Sequence, residues 1–149
     1  MSLAIEASPL ATVAHVNLNQ YMGTWYEIAK LPNRFEKKCQ FLTTAQYQML
    51  DNGDVSVVNE CHSINKEKIH KISSKGIAWV VNKDVTSKLK VSFVPFLQSL
   101  HLFGGDYWIL DLADDYSYSI VGTEDRQYLW ILYRSPQMPA NLYSQLIDK

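Results

Sequence analysis

Apolar and polar residues alternate in short runs through most of the chain, from Gly23 to Arg134. The runs are rich in valine, isoleucine, tyrosine, tryptophan and threonine, and turn-forming pairs such as Asn-Gly, Asp-Asp and Gly-Gly separate them. Alternation of this kind is typical of β-strands that bury one face. The pattern predicts eight strands, at 23–30, 43–50, 55–61, 69–79 with a break at Gly76, 88–93, 106–112, 116–122 and 128–134.

The clearest connection is the turn Asp51-Asn52-Gly53-Asp54, between the second and third predicted strands. An Asn-Gly pair supplies the positive φ angles that a tight hairpin turn requires. Cys39 and Cys61 flank this hairpin at its open end, which predicts a disulfide that pins the second strand to the third. A disulfide suits an oxidising compartment such as a periplasm or the cell exterior, whereas two unpaired thiols would suit the cytosol.

The last part of the chain changes period and completes the predicted fold. After Pro136 and Pro139, apolar residues recur every four positions between Ala140 and Ile147, which predicts a helix. Eight antiparallel strands with short connections are better closed into a barrel than left as an open sheet with two exposed edges. We therefore expect an all-β fold, an eight-stranded antiparallel up-and-down barrel with a C-terminal α-helix, and a barrel of eight strands can enclose one small ligand.

At 149 residues the chain has the length of one ordinary domain, and it shows no internal repeat, linker or low-complexity tract. We expect a single domain over residues 16–149, preceded by an N-terminal extension over 1–15. The first three residues, Met1 to Leu3, are interpreted as a cloning remnant in place of a removed signal.

Three local motifs occur in the order that one family of barrels shows. The segment Asn19 to Ala29 resembles the Gly-x-Trp motif at the start of the first lipocalin strand. The segment Gly104 to Trp108, which includes Asp106 and Tyr107, resembles the Thr-Asp-Tyr motif with glycine in place of threonine, and Tyr128 to Arg134 resembles the last-strand motif that ends in arginine. The chain thus resembles the lipocalin family, most of all bacterial outer-membrane lipocalins, plant temperature-induced lipocalins and apolipoprotein D.

This resemblance gives the motif residues structural roles. In lipocalins the motif tryptophan, here Trp25, plugs the closed end of the barrel, and the motif arginine, here Arg134, lies over its face as a cation–π contact. Gly23 fits because a small residue lets the preceding turn cross the barrel floor at close range. These motifs identify a fold and say little about a ligand.

Strand parity predicts which side chains line a cavity, because alternate residues of a barrel strand point inward. The inward positions are assigned by counting from Trp25 in the first strand and from Arg134 at the end of the last strand. The predicted ligand-binding set combines inward positions with two phenylalanines in or beside loops: Ala45, Tyr47, Val57, Asn59, Trp130, Phe35 and Phe93.

Asn59 stands out in this set, because an amide among valines on an inner face must find a partner. The resemblance to apolipoprotein D and its relatives also implies cavity roles for Tyr47, Asn59 and Trp130. The alternative is that these side chains fill a solid core, since barrels of this size can be packed shut.

Composition limits the partners of the protein. The chain is 47% hydrophobic and 12% aromatic with a formal net charge of −1, so it lacks the basic field that attracts nucleic acid. No apolar run approaches the roughly 20 residues that span a bilayer. The segment 94–103 is unusually apolar for a connection, so it is a candidate for contact with membrane or ligand, or it packs on itself.

The lipocalin resemblance implies a protein that carries or stores a small hydrophobic ligand, a fatty acid or a lysophospholipid. Many bacterial lipocalins are anchored to the outer membrane by an acylated N-terminal cysteine. The resemblance therefore implies an extracytoplasmic location, in the periplasm and anchored to the outer membrane in the native form, with a role in transport or maintenance of cell-envelope lipids.

The sequence contains no Gly-x-Ser-x-Gly, no metal-spaced histidine pair and no glycine-rich phosphate loop, so we expect no catalysis, cofactor or metal. The rival hypothesis is a lipid-modifying enzyme that uses a cavity thiol at Cys61. Its neighbour His62 cannot assist, because adjacent strand residues point to opposite faces. A disulfide between Cys39 and Cys61 would remove this option.

Overall fold

The computed structural model describes residues 10–31, 41–95, 101 and 104–147. Within these residues the chain forms eight strands and two helices. They are α1 (Leu18–Tyr21), β1 (Gly23–Lys30), β2 (Phe41–Met49), β3 (Val55–Asn65), β4 (Lys68–Val80), β5 (Lys88–Ser92), β6 (Gly105–Leu112), β7 (Tyr118–Gly122), β8 (Leu129–Tyr133) and α2 (Ala140–Ile147).

The eight strands close into one barrel in chain order. Each strand pairs antiparallel with the next, and β1 also pairs with β8, where Tyr26 lies opposite Tyr133 and Lys30 lies opposite Trp130. Closure pairs the two edges that an open sheet would expose. The predicted eight-stranded antiparallel barrel with a C-terminal helix is confirmed.

The β3–β4 hairpin is longer than the sequence pattern indicates. β3 runs to Asn65 and β4 begins at Lys68, so strands of 11 and 13 residues form this hairpin. The predicted break at Gly76 is wrong, because β4 continues through it opposite Val57. A Cβ at position 76 would lie 2.7 Å from the ring of Phe93. This glycine therefore marks a close packing contact inside a strand rather than the end of one.

Two other local features differ from the predicted elements. The strand predicted over 116–122 begins only at Tyr118, because Tyr116 has a φ of 61° in the β6–β7 turn. Helix α1 is too short for a 3.6-residue period to show in the sequence. Asn17 caps it, since its side-chain oxygen accepts hydrogen bonds from the backbone N–H groups of Asn19 and Gln20.

The segment before β1 covers the end of the barrel at which β1 begins. The Val13 N–H donates to the carbonyl oxygen of Ile109 at 3.1 Å, and the Val16 N–H donates to Thr86 Oγ1 at 2.8 Å. Val16 is only 1% exposed. The described segment before α1 therefore packs against this end of the barrel.

Arg134 connects the closed end to the last strand. Its guanidinium lies 3.7 Å from the ring centroid of the fully buried Trp25. Gly23 lies beside it with a φ of 103°, and a Cβ there would be 3.3 Å from Arg134 Nη1. The guanidinium also donates hydrogen bonds to backbone carbonyl oxygens of Gln20, Tyr21, Met22, Thr24 and Tyr116.

Helix α2 packs on the outside of the barrel. Its residue Leu146 is buried in a cluster with Ile120 of β7 and Ile131 of β8, which is separate from the barrel interior. Among the helices of the described residues, none has the length and apolarity needed to cross a membrane.

Candidate ligand-binding site

An apolar cavity of about 780 Å³ occupies the barrel interior, and all eight strands contribute to its lining. The lining residues that are hydrophobic and buried are Tyr21, Ala45, Tyr47, Val55, Val57, Cys61, Ala78, Leu89, Ile109, Val121 and Leu132. Small-molecule sites in proteins span roughly 300–1,000 Å³ and are mostly apolar. The interior is thus hollow rather than packed shut, with the size and chemistry to hold one hydrophobic molecule.

Most of the predicted ligand-binding residues lie on this cavity. The lining includes Ala45, Tyr47, Val57, Asn59, Phe93 and Trp130. Strand register brings four of them together, because Ala45 pairs with Asn59 and Tyr47 pairs with Val57 across β2 and β3. Phe35 lies outside the described residues.

The amide of Asn59 faces the cavity. Among the described residues, the side-chain amide of Asn59 has no hydrogen-bond partner. Its polar atoms are not fully buried. The partner that the sequence argument required is therefore not a side chain or backbone group of the described chain. A ligand or a water molecule in the cavity can supply the missing hydrogen bond.

Aromatic side chains lie near the open end of the cavity, where β1 ends and β8 begins. Tyr128 and Trp130 stack with their ring centroids 5.9 Å apart and an interplanar angle of 8°. Phe93, which follows β5, is 40% exposed and packs over Gly76. These rings place aromatic surface at the open end of the cavity.

Three tyrosine hydroxyls meet at the opposite end, above the closed floor. The Tyr107 hydroxyl lies 2.8 Å from the hydroxyls of both Tyr21 and Tyr47, and the Tyr21 hydroxyl lies 2.8 Å from Ser119 Oγ. All three tyrosines line the cavity. Tyr21 comes from α1, so strand parity does not identify it, and Tyr107 is known from the sequence only as part of a fold motif.

Burial raises the pKa of all three tyrosine hydroxyls, because a phenolate loses its hydration in the barrel interior. The pKa of Tyr21 rises to about 12, against the smaller lowering effect of its hydrogen bonds to Ser119 and Tyr107. The same desolvation also raises the pKa values of Tyr47 and Tyr107. All three are therefore neutral hydrogen-bonding groups near pH 7.

The charged side chains of the lining offer little to a ligand carboxylate. Within the described lining Lys90 is the only cation, and its Nζ lies 2.6 Å from Asp106 Oδ1. The carboxylates of the same lining are Glu27, Glu60, Asp106 and Asp125. The described lining therefore offers an anionic group no cation that is not already ion-paired.

Cys61 lines the cavity and is buried, whereas the ring of the next residue, His62, stacks on Phe41 with centroids 5.6 Å apart. The two side chains lie on opposite faces of β3, as the sequence predicts for neighbours on a strand. Cys39 lies outside the described residues, so its disulfide with Cys61 stays a prediction. The part of the chain that the structure describes contains no group of three or more metal-binding side chains.

A hollow eight-stranded antiparallel barrel, closed at one end by a tryptophan under an arginine, is the architecture of a ligand-binding lipocalin. The chain belongs to the lipocalin family: the family model described as a lipocalin-like domain matches residues 16–149. The family binds and transports small hydrophobic ligands.

Curated relatives extend the match over most of the chain. Temperature-induced lipocalin-1 of Arabidopsis thaliana is 38% identical over 147 residues, which cover 97% of this chain and 76% of the relative. Outer membrane lipoprotein Blc of Citrobacter freundii is 34% identical over 139 residues, with coverages of 93% and 73%. Apolipoprotein D of Mus musculus is 32% identical over 141 residues, with coverages of 89% and 68%. The resemblance in the sequence motifs is confirmed.

Solved structures show the same fold at lower sequence identity. Insecticyanin from the tobacco hornworm Manduca sexta superposes with a TM-score of 0.69 at 22% identity, covering 96% of this chain and 76% of that one. The cockroach allergen Per a 4 gives a TM-score of 0.65 at 18% identity, with coverages of 95% and 82%.

Proposed function

We propose that the protein carries or stores a single-chain lipid, a fatty acid or a lysophospholipid, without transforming it. The observation that carries this proposal is the apolar cavity of about 780 Å³, open between aromatic side chains at one end and closed at the other. Each methylene taken from water into such a cavity contributes about 0.8 kcal/mol before ordering costs. A long acyl tail therefore supplies enough driving force for binding.

In this proposal the tail enters past Phe93 and Trp130 and lies against Val57 and Ala45, while the headgroup stays at the mouth. The ion pair between Lys90 and Asp106 supports the headgroup position, since it leaves no free cation in the described lining to draw a carboxylate inside. Fatty acids and lysophospholipids are then expected to bind with similar strength at equal tail length.

The test is a titration of delipidated protein with hexadecanoic acid and with lysophosphatidylcholine, followed by calorimetry and by tryptophan fluorescence. We expect dissociation constants of roughly micromolar size for both lipids. The fluorescence change is expected to vanish in Trp130→Phe, which keeps the other three tryptophans. Folded, delipidated protein that binds neither lipid would contradict the proposal.

We also propose an extracytoplasmic location, in the periplasm and anchored to the outer membrane in the native form, where the protein would transport or maintain envelope lipids. Bacterial relatives at 34% and 32% identity bear the name outer membrane lipoprotein, which supports this location. A disulfide between Cys39 and Cys61 would fit the same compartment.

Thiol titration of the unfolded, unreduced protein tests this pairing. We expect no reactive thiol. Two thiols would contradict the disulfide and would make Cys61, which lines the cavity, available to the alternative of a lipid-modifying enzyme.

A further inference from the structure

Four hydroxyl groups form one hydrogen-bonded chain at the floor of the cavity. The order is Ser119, Tyr21, Tyr107, Tyr47, and each of the three links is 2.8 Å long. The side chains around it, among them Val55 and Ile109, are apolar and buried. A plain hydrocarbon tail needs no polar group at this place, and burying one is costly unless its hydrogen bonds are made.

Counting hydrogens shows that the chain of hydroxyls is incomplete. Four hydroxyls carry four hydrogens, and three links use only three of them. Of the two residues at the ends of this series of hydroxyls, Tyr47 is the one that lines the cavity. Among the described residues, the hydroxyl of Tyr47 has one hydrogen-bond partner, Tyr107. If the O–H bonds point from Ser119 toward Tyr47, Tyr47 has a hydrogen left to donate. If they point the other way, its oxygen is left to accept.

We propose that the Tyr47 hydroxyl is the centre of a second polar site, which binds a neutral hydroxyl or carbonyl group at the buried end of the ligand. The proposal rests on the carrier function proposed above and narrows it. The preferred ligand is a long-chain amphiphile that is oxygenated at the end opposite its headgroup.

Either direction of the hydroxyl chain serves this ligand. A carbonyl accepts from Tyr47 in one direction, and a hydroxyl can donate to Tyr47 in the other. A terminal methyl group can do neither, so a saturated tail leaves one buried hydrogen-bonding position of Tyr47 unused. Where the hydrogen of Tyr47 is the one left over, its burial without an acceptor costs free energy.

The floor favours a neutral group over a carboxylate. Burial raises the pKa values of Tyr21, Tyr47 and Tyr107, so the hydroxyls are uncharged near neutral pH. Arg134, the cation whose charge acts on Tyr21 and Tyr47, is already bonded to five backbone carbonyl oxygens and covers Trp25. A carboxylate placed here would lose its hydration without gaining a free cation.

The test compares matched pairs of ligands on the intact protein. Dodecanoic and hexadecanoic acids are titrated beside their ω-hydroxy derivatives, and the ratio of the two dissociation constants is measured at each length. Without a partner at the floor, a buried hydroxyl weakens binding by roughly 10-fold or more. We expect the ω-hydroxy acid to bind at least as tightly as the plain acid at the length that reaches the floor.

Tyr47→Phe removes the end of the hydroxyl chain with little change in shape. We expect this variant to weaken binding of the ω-hydroxy acid, relative to the plain acid of the same length, by roughly 10-fold. Tyr143→Phe is the matched control, because Tyr143 is 38% exposed on α2 and its variant is expected to keep the wild-type ratio. The wild-type comparison stands by itself if Tyr47→Phe does not fold.

The outcomes separate this proposal from the carrier function. If the plain acids bind and both ω-hydroxy acids bind more than roughly ten times more weakly, the floor site is overturned. The carrier function would still stand. An unchanged ratio in folded Tyr47→Phe would overturn the assignment to Tyr47. Absence of binding by every acid would overturn the carrier function, and the floor site with it.

Discussion

At the scale of single residues, the closed end of the barrel depends on the contact between Trp25 and Arg134. The segment from α1 into β1 crosses the floor, and its backbone carbonyl groups at Gln20, Tyr21, Met22 and Thr24 accept hydrogen bonds from Arg134. The guanidinium donates to five carbonyl oxygens at once and covers the indole ring. A lysine could not reproduce this, because it lacks the planar fork of donors.

Truncation of Trp25 tests this role. We expect Trp25→Ala to lower the free energy of unfolding by about 3–5 kcal/mol, because a fully buried indole is lost. Trp108→Ala is the control, since Trp108 is only partly buried and contacts Lys88, and a smaller loss is expected. Urea unfolding measures both. Equal midpoints for Trp25→Ala and the parent protein would contradict the placement of Trp25 at the core of the closed end.

The floor tyrosines predict a loss of stability at high pH. Tyrosine ionises near pH 10 in an unfolded chain, whereas burial raises the pKa of Tyr21 to about 12 in the folded protein and raises those of Tyr47 and Tyr107 as well. A raised pKa in the folded state stabilises the fold below pH 10, and this contribution is lost as the pH rises toward 12.

Urea unfolding at a series of pH values measures this effect. We expect Tyr21→Phe to show a shallower fall in the free energy of unfolding above pH 10 than the parent protein, and Tyr143→Phe to show the same fall as the parent. Parallel curves for Tyr21→Phe and the parent protein would contradict the burial of an ionisable hydroxyl at the floor.

Parity predicts the inward residues of a strand but not those that reach the cavity from elsewhere. Ala45, Val57 and Trp130 are found from the sequence because every second residue of a barrel strand shares one face. Tyr21 is not found, because it lies on a four-residue helix and meets Tyr107, 86 positions away, only after the barrel has closed.

At the scale of elements, the alternating pattern predicts strand existence well and strand ends less well. The first strand and the C-terminal helix have the predicted bounds, because a motif or prolines delimit them. The β3–β4 hairpin extends beyond the apolar alternation, since backbone pairing continues through the polar residues at its tip. Hydrogen bonding between strands does not require apolar side chains, so the pattern ends before the strands do.

Gly76 provides a test at the scale of one element. We expect Gly76→Ala to lower the free energy of unfolding by about 1–3 kcal/mol, because the new methyl group would lie 2.7 Å from the Phe93 ring and from the carbonyl oxygen of Ser92. Gly105→Ala is the control, since no atom lies within 4 Å of its Cβ position. Equal thermal unfolding midpoints for the two variants would show that Phe93 does not pack on β4.

At the scale of the whole molecule, the fold determines that a ligand is enclosed, and individual side chains determine which one. The chain shares its barrel with insecticyanin at only 22% identity, so the architecture tolerates extensive change in sequence. The features that bear on the ligand here are the apolar rim, the paired Lys90, the open amide of Asn59 and the hydroxyls at the floor. The sequence predicts Asn59, Tyr47 and Trp130 as cavity residues, whereas the Lys90–Asp106 ion pair and the hydrogen bonds between the floor hydroxyls depend on pairing in the closed barrel.

The most direct test of the account is to fill the cavity and leave the outer wall as a control. Val57 points into the cavity, and its neighbour Val58 points to the outer face of β3. Calorimetric titration of hexadecanoic acid is compared for Val57→Trp and Val58→Trp, with folding checked by circular dichroism. The account predicts that Val57→Trp weakens binding by roughly 10-fold or more, because the indole takes the space of several methylenes, while Val58→Trp binds like the parent protein. Equal binding by the two folded variants would show that the lipid binds outside the barrel.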